Sequence, residues 1–168
     1  MKTASVVVAV VLALALQTTL TRTLVAGTAA VDLVLVAVVY VALTTGPGAG
    51  MLAGSLAGLV QDALSSGVLG IGGLAKCIVG FVAGGIGQQF IVTAALPRLV
   101  MFLGATIVHA TIFMGLYVLL GVRTFASPWQ AVMGQAIGNS IVGMVAFTVV
   151  EALPGMIERR RLSRRTKH

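Results

Sequence analysis

The stretch GLVQDALSSGVLGIGGLAKCIVGF, Gly58–Phe81, places an acid, Asp62, and a base, Lys76, in the most apolar and glycine-rich part of the chain. The short turn Ser65–Gly67 divides it into two small-residue runs with no period-two alternation. Such runs suit a pair of packed helices rather than barrel strands, which alternate apolar and polar residues. Lipid offers no partners for backbone N–H and C=O groups, so a chain this oily is expected to be helical wherever it meets lipid.

Composition extends that reading to the whole chain. Its 168 residues are 58% hydrophobic and 9% charged, with a mean hydropathy of +1.09. A soluble domain averages about 25% charged residues, so too few polar side chains are present to cover a water-facing surface. The fold class expected is all-α: one polytopic integral membrane domain over residues 1–157, followed by a basic tail over 158–168. Six segments are marked as transmembrane helices: Ala4–Leu20, Ala29–Thr45, Gly48–Ser65, Leu69–Phe90, Leu99–Gly121 and Trp129–Leu153. Each is near the ~17–25 residues that cross a ~30 Å hydrocarbon layer. The first also resembles a signal peptide; a retained helix is the reading preferred.

The net charge of +7 is concentrated at one end, where Arg159, Arg160, Arg161, Arg164, Arg165 and Lys167 follow an apolar segment. This pattern predicts a membrane anchor that meets anionic lipids, not a nucleic-acid surface. Six crossings put both termini on one side. That side would hold Lys2, Arg98 and the six tail residues, against Arg22 and Arg123 opposite, which predicts cytoplasmic termini. A single cysteine, Cys77, excludes an intrachain disulfide.

Glycines recur at four-residue spacing in Gly50, Gly54 and Gly58, in Gly80 and Gly84, and in Gly134 and Gly138. Small residues one turn apart let helix backbones approach closely in lipid. The third, fourth and sixth segments are therefore expected to make tight contacts, within the bundle or with a partner's helix. GIGGLAK, Gly70–Lys76, lacks the Gly-Lys-Ser/Thr ending of a phosphate loop and is set aside.

A charge at mid-membrane costs about 2.5–3.5 kcal/mol on insertion scales. If the hairpin turns at Leu69, Asp62 and Lys76 each lie seven residues from the turn, at similar depth. Pairing between them, or capping of backbone groups at the turn, would lower the cost. A structural clasp is favoured over a proton or ion relay, because Asp32 and Glu151 fall near segment ends. His109 is expected to be a packed, hydrogen-bonded histidine, and Gln135, Asn139 and Ser140 to make interhelical hydrogen bonds. No arrangement points to catalysis, a cofactor or a metal.

In this same stretch, Gly58, Leu59, Asp62, Leu64, Ser65, Gly67, Leu69 and Gly70, followed by Gly80 and Gly84, resemble the rod shape-determining protein MreD family. The resemblance implies a non-enzymatic scaffold of the cell-elongation machinery in the bacterial inner membrane. Its partners would be the bitopic protein MreC and, through it, the glycosyltransferase RodA with its class B penicillin-binding transpeptidase. MreB filaments would be contacted indirectly. The family is also similar in fold to the substrate-binding S components of energy-coupling-factor vitamin transporters, which supplies the alternative function. On that alternative, Ala9 and Ala13 would face a coupling partner. Candidate hairpin or docking residues are Gly50, Gly54, Gly58, Asp62, Ser65, Gly67, Leu69, Gly70, Lys76, Gly80 and Gly84.

Overall fold

The computed structural model describes residues 3–23, 31–65, 67–90, 94–122, 124–125 and 128–165; the side chains of 3–6, 9, 20–23 and 153–165 lie outside the description. The described chain forms six helices: α1 (Thr3–Thr23), α2 (Leu33–Thr45), α3 (Pro47–Leu64), α4 (Ile71–Gln89), α5 (Ala95–Leu119) and α6 (Pro128–Arg165). Each overlaps one of the six segments marked in the sequence. The helix α6 runs unbroken across 157/158, where the basic tail was expected to begin.

The second helix differs most from expectation. It has 13 residues, about 20 Å of helix, which is too short to cross a ~30 Å hydrocarbon layer. Among the described residues, three helices are long and apolar enough to cross: α4, α5 and the Pro128–Ala152 part of α6. Helix α2, LVLVAVVYVALTT, is apolar on every side, the pattern of a helix buried all round. It forms the centre of the bundle and touches all five other helices. Val34, Val38 and Val41 pack against Ala53 and Ala57 of α3, with Val10 and Leu14 of α1 beside them. On another side, Leu35, Val36 and Val39 pack against Val79, Phe102, Ala105 and Phe147 from α4, α5 and α6.

The outer helices follow one another around α2 in the order α1, α3, α4, α5, α6, each in contact with the next. Only Gly46 separates α2 from α3; its φ of 106°, accessible to glycine, makes so short a reversal feasible. Pro47 then starts α3, where its missing N–H costs nothing.

The α3–α4 hairpin is the tightest pair. A Cβ on Gly58 would sit 2.5 Å from the Gly73 Cα, and one on Gly84 would sit 2.5 Å from Pro47. Gly54 faces the Lys76 carbonyl, and Gly50 and Gly80 face each other, closer still. Backbone meets backbone along this contact, which only glycine permits.

Candidate functional site

The polar groups of the bundle gather at two places. The first is the α3–α4 turn. Asp62 is buried at the end of α3, and its Oδ2 accepts hydrogen bonds from the N–H groups of Gly70 (2.9 Å) and Gly73 (3.1 Å). The first N–H groups of a helix have no intrahelical partners and carry the positive end of its dipole. A carboxylate delivered from the preceding helix satisfies both needs. Gly72 leaves room for it, since a Cβ there would run into the carboxylate. Gly70, at φ 99°, turns the chain into α4. Tyr117 of α5 closes the turn from the side, its hydroxyl accepting from the Val68 N–H at 3.1 Å.

Asp62 therefore caps a helix and does not pair with Lys76. The expectation of equal depth fails because the turn is asymmetric. Asp62 lies opposite Gly70 and Gly73, whereas Lys76 lies opposite Gly54, eight residues and about 12 Å further along α3.

Lys76 belongs to the second place, a buried polar centre. Its Nζ is 2.8 Å from Asp32 Oδ2 and 3.2 Å from His109 Nε2. An ammonium can only donate, so Nε2 accepts and a neutral imidazole carries its proton on Nδ1. Among the described residues Nδ1 is buried with no partner, and the ring stacks on Phe113 at 5.8 Å between centroids. Asp32 is the N-cap of α2, with Oδ1 accepting from the Leu35 N–H at 2.9 Å. The Asp32 N–H donates to Asn139 Oδ1 at 2.7 Å, and Asn139 Nδ2 donates to Thr106 Oγ1 at 3.1 Å. From α1, Gln17 accepts from the Leu33 N–H at 2.8 Å and donates to the Val31 carbonyl at 3.2 Å. Four helices, α1, α4, α5 and α6, thus converge on the start of α2. Asp32, Lys76, His109, Thr106, Asn139 and Gln17 are all at most 5% exposed.

Asp32 was expected near a segment end facing the membrane interface. It is at a helix end, but the short α2 lies inside the bundle, so that end is buried. One indication was available in the sequence. A lysine within a membrane needs an acid, and the chain has only four Asp and Glu residues. Length and spacing did not reveal which acid it was.

The remaining expectations divide. His109 and Asn139 are hydrogen-bonded as expected; Ser140 donates to its own helix at Ala136. Gly50, Gly54, Gly58, Gly80 and Gly84 face one another within the hairpin, which leaves no glycine stripe there for a partner. Ser65, Gly67 and Leu69 are exposed at the turn, and Ser65 donates to the Gln61 carbonyl at 2.8 Å. Ala13 is buried within the chain, so it is not presented to a coupling partner; the side chain of Ala9 is outside the description. The anchor residues Arg159, Arg160, Arg161, Arg164 and Arg165 continue the α6 backbone, but their side chains and all of Lys167 are outside the described residues. Nearby, Arg98 of α5 forms a bidentate pair with Glu151 of α6 at 2.9 and 2.5 Å and lies 4.4 Å above the Phe147 ring.

Chemically, both places hold helices together. The Asp62 carboxylate serves backbone donors, and Lys76 and Asp32 neutralise each other among their hydrogen-bond partners. The fold and these sites define a small all-helical membrane protein whose buried charges stabilise its own bundle. The chain matches the family of rod shape-determining protein MreD over residues 2–154 and belongs to that family. It therefore has a role in rod-shape determination. No curated protein and no solved structure matches it.

Proposed function

We propose that this chain is a non-enzymatic scaffold of the cell-elongation peptidoglycan synthesis machinery in the bacterial inner membrane. The observation that carries the reading is the family match over residues 2–154. In this role the bundle binds MreC and links it to RodA and the class B penicillin-binding transpeptidase, with MreB filaments reached indirectly. The distribution of charge supports six crossings with cytoplasmic termini. Lys2, Arg98 and the basic end of α6 then share one side, and anionic lipids hold that end at the membrane surface. On this topology α2 crosses inside the protein, so its length need not match the bilayer. The consumption of Asp62, Lys76 and Asp32 in intramolecular bonds is in keeping with a scaffold. The burial of Ala13 speaks against the S-component alternative.

Affinity purification of the full chain from native membranes in mild detergent, with cross-linking and mass spectrometry, tests the reading. Recovery of MreC with RodA and the transpeptidase is the expected result. Recovery instead of a coupling protein with two ATPases, or of a bound vitamin, would defeat it.

A further inference from the structure

Two polar contacts join α4 and its entry turn to one stripe of α5. The buried one runs from Lys76 Nζ to His109 Nε2 at 3.2 Å. The exposed one runs from the Val68 N–H, just before α4, to the Tyr117 hydroxyl at 3.1 Å. Val68 and Lys76 are eight residues apart, and so are His109 and Tyr117. On α5 that spacing sets the two partners about 12 Å apart along the helix. Phe113 lies between them, with ring centroids 5.8 Å from His109 and 4.7 Å from Tyr117. We propose that the Tyr117–Val68 bond is a latch: when it opens, the α3–α4 hairpin swings its turn away from α5 about the Lys76–His109 contact.

The hairpin is built to move as one body. Its helices touch backbone to backbone along Gly50, Gly54, Gly58, Gly80 and Gly84. Across the turn, Asp62 of α3 holds the N–H groups of Gly70 and Gly73. The turn therefore cannot open alone; it carries both helix ends with it. Those ends also project beyond the central helix. Helix α2 starts where its N-cap, Asp32, meets Lys76, and Lys76 lies five residues, about 7.5 Å, into α4 from Ile71. On α3, Ala53 and Ala57 belong to the α2 core, and Asp62 and the turn lie past them.

The two contacts differ in what it costs to break them. Lys76 and His109 are at most 5% exposed, and a buried charge that loses a partner is left uncompensated. Gly67 and Val68 are exposed and Tyr117 is half-buried, so water can replace the hydroxyl on the Val68 N–H at small net cost. Opening thus belongs to the exposed contact and the pivot to the buried one. Rotation of a rigid unit about a fixed contact is a common mode of conformational change. The closed position is also fitted. Phe113 supports the Tyr117 ring on one side and Phe125 meets it edge-on at 6.4 Å. Gly67 admits the hydroxyl, since a Cβ there would lie 3.0 Å from it.

The latch goes beyond the scaffold reading and does not depend on which partners that scaffold binds. Its test uses the full chain in lipid nanodiscs, with Cys77→Ala so that only added cysteines carry spin labels. One labelled pair, Leu64→Cys with Leu120→Cys, spans the exposed ends of α3 and α5 beside the turn. The other, Gly48→Cys with Ala95→Cys, spans their exposed starts at the opposite end. Pulsed electron paramagnetic resonance reads both distances. Tyr117→Phe removes only the hydroxyl, and Gly67→Val keeps the tyrosine but crowds its hydroxyl out. Each is expected to lengthen and broaden the turn-end distance by a few ångströms. The opposite pair should stay unchanged and the unfolding midpoint should stay close to that of the parent. An unchanged turn-end distance in both variants would overturn the latch. Equal shifts at both ends would overturn the pivot, because the bundle would then have loosened throughout. A steep loss of stability in Tyr117→Phe would also overturn the proposal, since the bond would then belong to the core and not to a contact that opens.

Discussion

In the α3–α4 hairpin the two backbones touch; in the α5–α6 hairpin side chains hold them apart. The first pair is joined along Gly50, Gly54, Gly58, Gly80 and Gly84, with the Asp62 cap at its turn. The second is filled by Phe102 and Phe147, 6.2 Å between ring centroids, and clasped by Arg98 and Glu151. Glycine contact gives close packing but tolerates no added atom. Aromatic and ionic contact keeps the two backbones further apart and brings side chain, not backbone, against a glycine: a Cβ on Gly143 would meet the Phe102 ring at 2.6 Å. Lys76 belongs to the rigid hairpin yet carries the charge that ties it to α2 and α5, so the two styles meet at that residue.

The largest expected effect comes from breaking that junction. Lys76→Met leaves the Asp32 carboxylate buried without its counter-charge, a loss of about 3–5 kcal/mol for a pair broken on one side. Combining it with Asp32→Asn removes the stranded charge and keeps an N-cap, because asparagine caps about as well as aspartate. The double variant should therefore recover most of the stability that the single one loses. Thermal unfolding of both variants in detergent, read with their abundance in membranes, checks this. A double variant as unstable as Lys76→Met would mean that Lys76 acts chiefly through His109 and not through Asp32.

Next in size is a test of the close contact itself. Gly58→Leu forces a side chain into the Gly73 backbone, and overpacking of this kind costs about 1–3 kcal/mol, occasionally more. Gly134→Leu on α6 meets no heavy atom within 4 Å of the added Cβ and should leave the unfolding midpoint nearly unchanged. Equal effects from the two would show that the loss at Gly58 does not come from the close contact with Gly73.

The two hairpins also differ in how well the sequence foretold them. Four-residue glycine spacing pointed to the α3–α4 contact, because close approach in lipid leaves a compositional trace, but it pointed equally to α6, where a Cβ on Gly134 would meet nothing within 4 Å. The role of Asp62 was legible as a choice between a pair and a cap. Which one holds depends on where α4 starts, and Gly70 delays that start to Ile71. The polar centre was far less legible. Asp32, Lys76, His109 and Asn139 are distant in sequence and belong to four helices. Their convergence follows from the burial of α2, whose uniform apolarity reads equally well as a lipid-facing span. Likewise, nothing in the spacing of α1 and α6 tells that they do not meet among the described residues; that depends on how five helices are arranged around one.

The smallest expected effect lies in the looser hairpin. Glu151→Gln removes the acid facing Arg98, but Glu151 is 54% exposed, so water and salt already compete for the pair. Exposed ion pairs contribute little and are screened by salt. Arg98 also keeps its position over the Phe147 ring, a contact that does not need the carboxylate. Arg98→Gln loses both interactions, whereas Arg98→Lys keeps a cation but gives up the planar fork that made the pair bidentate. The order of unfolding midpoints should be wild type, then Glu151→Gln close below it, then Arg98→Lys, then Arg98→Gln. Raising the salt concentration should narrow the first interval and leave most of the last. If Glu151→Gln proved as damaging as Gly58→Leu, the α5–α6 hairpin would depend on its ion pair as strictly as α3–α4 depends on its glycines, and the contrast in tolerance would no longer hold.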